Sequence, residues 1–140
     1  MRISKNEYYL KIAEAVALRS TCLRRQYGAV IVNNDEIIAT GYNGAPRGEM
    51  NCCDAGYCHC QKYTLPVSPH AAKHGSQYGS CKAVHAEQNA IISASRRDMQ
   101  GATLYLASLD KTIEPTPCNI CDRMIKNAGI TRVVTCADTV

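Results

Sequence analysis

The apolar positions of this chain follow two different periods, and the change from one to the other marks its elements. "SKNE" (Ser4 to Glu7) is a capping box, in which Ser4 satisfies a free backbone N–H and Glu7 reaches back to the cap. Tyr9, Ile12, Ala13 and Val16 then recur at helical spacing, with Glu7, Lys11, Glu14 and Arg19 elsewhere, until "RSTC" breaks the pattern near Ser20. A first helix is predicted there. In "GAVIVNNDEIIATGYNG" the period changes: two β-branched runs, Ala29 to Val32 and Ile37 to Thr40, flank the turn formers "NNDE", which predicts a hairpin. Residues 44 to 82 show no period and are rich in Gly, Pro, Ser, Cys and His. A loop of that length in a compact domain is usually functional or tethered. Ala83 to Arg97 returns to helix, burying Ala86, Ala90, Ile91 and Ala94. "ATLYLAS" (Ala102 to Ser108) is a third strand, followed by the loop "DKTIEPTP". Cys118 to Ala128 is a short helix that Gly129 ends as a left-handed cap, and Ile130 to Thr135 is the fourth strand.

The order α-β-β-α-β-α-β predicts a three-layer α/β/α domain with a mixed sheet, spanning residues 1–140 as one unit. The last strand, helix and strand favour a parallel pair with a right-handed crossover. Composition narrows the class. With 140 residues, 46% hydrophobic and 20% charged, the chain can close its own core. It has no tract of twenty apolar residues, no signal-peptide pattern in "MRISKNEYYL" and no charged tail, so a soluble cytoplasmic protein is expected, without a membrane partner. The formal charge of +4 suits an anionic small molecule and is too small and scattered for a nucleic-acid footprint. Nine cysteines, an odd number without an export signal, favour metal or thiol chemistry over disulfides.

"AVHAEQNAII" (Ala83 to Ile92) sets His85 and Glu87 two positions apart at the front of a helix. In mid-helix that spacing is about 200° and the two would face opposite sides. At an N-terminus first-turn side chains can lean over the open end into one pocket. An isolated H-x-E reads most simply as a core histidine and a solvated glutamate. This one is accompanied by "PTPCNIC", which puts Cys118 and Cys121 at the start of another helix, where the dipole lowers a thiol pKa. One imidazole and two thiolates make three zinc ligands and leave the fourth position for water, the mark of a catalytic site. Zinc brings that water's pKa to about 7, and a carboxylate that is not a ligand can then move protons, a role Glu87 has by position. A thioredoxin-like redox pair and a closed structural zinc knuckle are the competing readings.

"HAEQNA" with "PCNIC" resembles the H-x-E and P-C-x-x-C signature of zinc-dependent nucleobase deaminases, a pairing whose mechanism is a general one. "YGAVIVNNDEIIATGYNGAPRG" (Tyr27 to Gly48), followed by "NCCD" (Asn51 to Asp54), is similar to the deoxycytidylate (dCMP) deaminase branch, and the likeness covers about residues 3 to 135. The resemblance implies conversion of dCMP to dUMP and ammonia, supplying the dTMP precursor. His85, Cys118 and Cys121 would hold a catalytic zinc, hydroxide would attack C4, and Glu87 would shuttle protons. Asn43 would contact sugar or base, the backbone of Ala86 would help fix the reacting end, and Arg24, Arg25 and Arg47 are candidates for the 5′-phosphate. A second, structural zinc, known in some family members, would take Cys22 and Cys52, with Cys81, His74 and Cys58 as further ligands and His70 and Cys60 behind them. It would tether the long loop. The family is typically oligomeric, often hexameric, and many members respond to dCTP and dTTP. Its usual fifth strand has little room after "VVT", which would leave an open edge for another subunit. The alternative substrate classes are other cytosine or adenine compounds: dCTP, cytidine, deoxycytidine or a tRNA adenosine.

Overall fold

The computed structural model describes residues 1–58 and 81–139. The first helix, α1 (Lys5–Ala17), begins where Ser4 Oγ accepts the Glu7 N–H at 3.2 Å. The hairpin strands are β1 (Tyr27–Asn33) and β2 (Glu36–Tyr42), and their turn is built by Asn34 and Asp35, both at positive φ (51° and 62°). Two consecutive left-handed residues make the turn whose twist matches a hairpin, and Asn and Asp tolerate it best among non-glycines. A short helix, α2 (Cys52–Ala55), lies inside the stretch expected to be aperiodic, and Gly56 ends it at φ 79°. Four residues are too few to show a period, which is why the pattern hides it.

The helix expected over 83–97 is divided. It forms as α3 (Ala86–Ile92) and α4 (Arg96–Met99), separated at Ser93–Ser95. Ser95 Oγ accepts the Asp98 N–H at 3.2 Å and so starts a new helix. A serine that caps competes with one that continues a helix, and here the cap wins. Then come β3 (Thr103–Ser108), α5 (Asn119–Ala128), β4 (Arg132–Val134) and a final 3₁₀ turn (Cys136–Thr139). Gly129 caps α5 at φ 93°, as the sequence predicts. Cys136 opens the 3₁₀ turn.

The sheet order is β2-β1-β3-β4, with β1 antiparallel to both neighbours and β3 parallel to β4 across α5. The mixed sheet and its parallel last pair match the expectation. Side chains alternate across it. Ala29, Ile31, Ala39, Leu104 and Leu106 face α3 and α5, where Ala86, Ala90, Ile125 and Ala128 are buried against them. Val30, Val32, Tyr105 and Ala107 face α1 and meet Tyr9, Leu10 and Ala13. These faces give three layers, α1 on one side and α3 with α5 on the other. Two glycines set how closely the helices lie on the sheet. A Cβ on Gly28 would fall 2.0 Å from the Ala13 carbonyl oxygen, and one on Gly41 would fall 2.3 Å from the Ala90 nitrogen. Backbone therefore packs on backbone at both places.

Candidate metal centre

The pair of helices on one face brings the two cysteine and histidine motifs together. His85 is the N-cap of α3 and Cys118 the N-cap of α5, both in extended backbone, so their side chains project beyond the helix ends. This removes the difficulty of the H-x-E spacing: His85 stands outside the helix and Glu87 inside its first turn. Cys118 Sγ lies 3.6 Å from His85 Nδ1, Cys121 Sγ lies 3.2 Å from it, and all three ligand atoms fall within 4.8 Å of one another. Tetrahedral zinc requires roughly 3.5 Å between nitrogen and sulfur donors and ~3.8 Å between two sulfurs. The donor set fits the ion in type and in spacing.

The local electrostatics support the same reading. Burial, then the charge of Glu87, then Cys118, push the Cys121 thiol far up, and the thiol donates a hydrogen bond to the Glu87 carboxylate. A divalent cation at the three donors reverses that cost, so binding it releases protons. Cys121 N–H donates to Cys118 Sγ at 3.4 Å, which ties the two sulfur-bearing residues together at the helix end. Glu87 is 5% exposed, and Ala86 beside it is fully buried. A buried carboxylate next to three metal donors, but not one of them, is placed to exchange protons with whatever they hold.

The sequence model of the cytidine and deoxycytidylate deaminase zinc-binding region matches residues 3–137. The chain belongs to that family. It is 40% identical over 129 residues to the deoxycytidylate deaminase of Mycobacterium phage D29, covering 92% of this chain and 91% of the relative. It is 35% identical over 134 residues to the deoxycytidylate deaminase of Schizosaccharomyces pombe, covering 95% of this chain but 37% of that protein. The crystal structure of the dCMP deaminase of cyanophage S-TIM5 in complex with dCMP and dUMP shares its fold, with a TM-score of 0.63 and 30% identity, over 95% of this chain and 81% of that one. As a member of this zinc-binding family the protein is a hydrolase of an amidine C–N bond, and its fold is the family's α/β fold. No helix among the described residues is long and apolar enough to cross a membrane.

The other residues picked out by the deaminase resemblance fall into two groups. Asn43, at the end of β2, is 7% exposed, and its amide is engaged by protein: Oδ1 accepts from Ser20 Oγ (2.6 Å) and Tyr27 N–H (2.9 Å), and Nδ2 donates to the Arg25 carbonyl (2.8 Å). Arg24 and Arg25 are half-buried in the loop between α1 and β1, whereas Arg47 is exposed. Cys22, Cys52, Cys58 and Cys81 line one small pocket, together with Thr21 and Gly44, with room for about one water-sized sphere. They do not form a group as tight as the His85 cluster, which alone among the described residues brings three ligand atoms within 4.8 Å. His70, His74 and Cys60 lie outside the described residues.

Two supporting residues escape the motif reading. Gln88 Oε1 accepts the His85 N–H at 2.9 Å, fixing the backbone that presents the imidazole. Its place three residues after the cap is the signal a capping box gives, and "HAEQ" carries it. The second is Ser20, which no local pattern marks.

Proposed function

We propose that this protein catalyses hydrolytic deamination of dCMP to dUMP and ammonia. The observation that carries the reading is the buried Glu87 carboxylate beside the His85, Cys118 and Cys121 donors. The phage D29 relative, a deoxycytidylate deaminase nearly coextensive with the chain, supports the substrate. The cyanophage enzyme that binds dCMP and dUMP supports it as well.

His85, Cys118 and Cys121 hold the zinc, which when bound lowers the pKa of a water to about 7. Glu87 takes a proton from the attacking water and delivers it to the ring nitrogen N3. The C4–O bond forms, Glu87 takes the second proton from the new C4 hydroxyl and passes it to the exocyclic amine, and the C4–N bond breaks with release of ammonia as the C4 carbonyl forms. Burial keeps bulk water from competing for Glu87 in these transfers. The Ala86 backbone lies beside the carboxylate, in reach of the reacting end. Among the described residues the second Nδ2 hydrogen of Asn43 is without a protein acceptor, and it serves the sugar. Arg24 and Arg25, in the loop that Asn43 holds, are preferred over the exposed Arg47 for the phosphate.

A second zinc at Cys22, Cys52, Cys58 and Cys81 is part of the same proposal, since the four thiols share one pocket. Residues 1–140 act as one cytoplasmic domain, and the chain assembles as a homo-oligomer. Ile37 and Tyr42 on the edge strand β2 and Ile92 at the end of α3 are exposed apolar residues that copies can cover.

Ammonia release from dCMP, dCTP, deoxycytidine, cytidine and deoxyadenosine, measured with zinc per chain on the same sample, tests the reading. Turnover of dCMP well above the others is expected, with about two zincs per chain. Preference for another of these compounds would displace dCMP as substrate. Cys52→Ser should lower zinc to about one per chain while dCMP turnover persists.

A further inference from the structure

The segment around Asn43 is where three parts of the chain are tied together. On one side of it, Asn89 Nδ2 donates to the Tyr42 carbonyl at 2.8 Å; on the other, Gly44 and Val84 exchange both backbone hydrogen bonds, at 3.1 and 2.7 Å. Asn89 is in α3 and Val84 immediately precedes His85, so Asn43 is anchored on both flanks to the segment that carries the zinc ligand. Its own amide reaches the other way, into the loop before β1. Both lone pairs of Oδ1 are taken, by Ser20 and by the Tyr27 N–H, and Nδ2 holds the Arg25 carbonyl.

Ser20 has the busiest hydroxyl in this loop. It lies 2.6 Å from Asn43 Oδ1 and 3.0 Å from the Asn43 carbonyl oxygen, and it accepts the Cys22 N–H at 3.3 Å. Thr21 N–H adds a bond to the Asn43 carbonyl at 3.3 Å. The hydroxyl thus closes a loop that has no regular structure of its own against a buried amide. Among the described residues no hydrogen bond joins it to His85, Glu87, Cys118 or Cys121.

We propose that Ser20, acting through Asn43, is a positioning residue for nucleotide binding: it holds the Ser20–Gln26 loop, with Arg24 and Arg25, at the edge of the site. The inference rests on the dCMP reading and extends it to how the substrate is held. Loss of the hydroxyl leaves the Tyr27 N–H to keep the amide from flipping, so the metal donors stay in place. The loop loses its anchor.

Ser20→Ala should raise KM for dCMP about tenfold, the scale of a lost hydrogen bond to a buried amide, with kcat within about twofold. KM for deoxycytidine, which lacks the phosphate, should move less. Ser20→Thr keeps the hydroxyl and should restore the wild-type KM. Hydrogen exchange of the Asn43 side-chain amide, followed by NMR on ¹⁵N-labelled protein without substrate, should be faster in Ser20→Ala and unchanged in Ser20→Thr. That reading stands even if wild-type protein fails to turn over dCMP, an outcome that would sink the proposed substrate alone. Unchanged KM and exchange in Ser20→Ala would overturn the positioning role, and so would a fall in kcat at constant KM. Should Ser20→Ala not fold, Ser20→Cys, similar in size and a weaker donor, gives the same two readings.

Discussion

Substituting alanine at Gly41 and at Gly28 separates the stability of this fold from the alignment of its site. The two glycines are on neighbouring strands but face opposite helical layers. At Gly41 the new Cβ would meet Ala90 N at 2.3 Å and Ala86 O at 2.4 Å, both backbone atoms of α3. Ordinary contact begins near 3.4 Å, so α3 must move outward by roughly 1 Å, because helix backbone cannot yield as a side chain does. That helix carries His85 at its cap and Glu87 in its first turn. A misplacement of ~1 Å at reacting groups costs about 10²-fold in rate, and overpacking of this kind costs about 1–3 kcal/mol of stability. At Gly28 the clash is at least as severe, 2.0 Å from Ala13 O and 2.6 Å from Ala17 N, but it displaces α1, which bears no candidate metal ligand. Both variants should therefore unfold at lower urea concentration, while only Gly41→Ala loses kcat on dCMP, by about 10²-fold. The measurement is kcat at a temperature where urea melts show both proteins folded. Equal loss of kcat in the two variants would refute the reasoning, because the damage would then follow stability and not the position of α3. So would an unchanged urea midpoint and kcat in Gly41→Ala.

Three further outcomes are expected. Glu87→Gln should keep the fold and its zinc, shown by metal analysis, and lose kcat by ~10²–10⁴, the usual scale for a removed general acid–base. Stability should fall on the alkaline side. The Tyr9 phenol, hydrogen-bonded to Asp35 at 2.6 Å and buried, is pushed up to about 12, so the folded state holds its proton more tightly than the unfolded chain does. That contribution is complete below a pH of about 10, the ordinary tyrosine value, and is lost as pH rises through about 12; urea midpoints of Tyr9→Phe should be flatter across this window. Chelation of zinc should abolish turnover and lower the melting temperature. Re-addition of zinc at a thousandfold over its dissociation constant should restore about 4 kcal/mol, read by calorimetry.

Much of the fold is legible along the chain because the signals are local. Ser4 and Gly129 mark helix ends by backbone chemistry that needs no distant partner, and the runs at Ala29 and Ile37 carry their own alternation. The break at Ser93–Ser95 is less legible, since serine serves equally as a helix interior and as a new cap. Strand order is set by tertiary pairing: β1 lies between β2 and β3, and no local feature announces the β1–β3 contact. The candidate metal donors are visible as two motifs. Their meeting is not, because His85 and Cys118 are 33 residues apart and come together only when α3 and α5 pack on one face. Ser20 is the least legible, since a lone serine acquires meaning only from an amide 23 residues away.

The meeting of two helix N-termini also explains the choice of donors. His85 and Cys118 cap α3 and α5, and each N-terminus presents roughly half a positive charge. A dication held by neutral imidazoles alone would face both ends with its charge uncompensated. Two thiolates neutralise it, and the first-turn Glu87 adds a negative group where the α3 dipole stabilises one. The same ends favour negative charge developing on an attacking oxygen between them, whereas a cationic ring would be repelled. The site is thus arranged to generate an anion and to present it to a neutral base, and the proton that completes the reaction must come from a buried acid and not from solvent. Glu87, buried in the first turn of α3 and in hydrogen-bond contact with Cys121, is the residue proposed to do so.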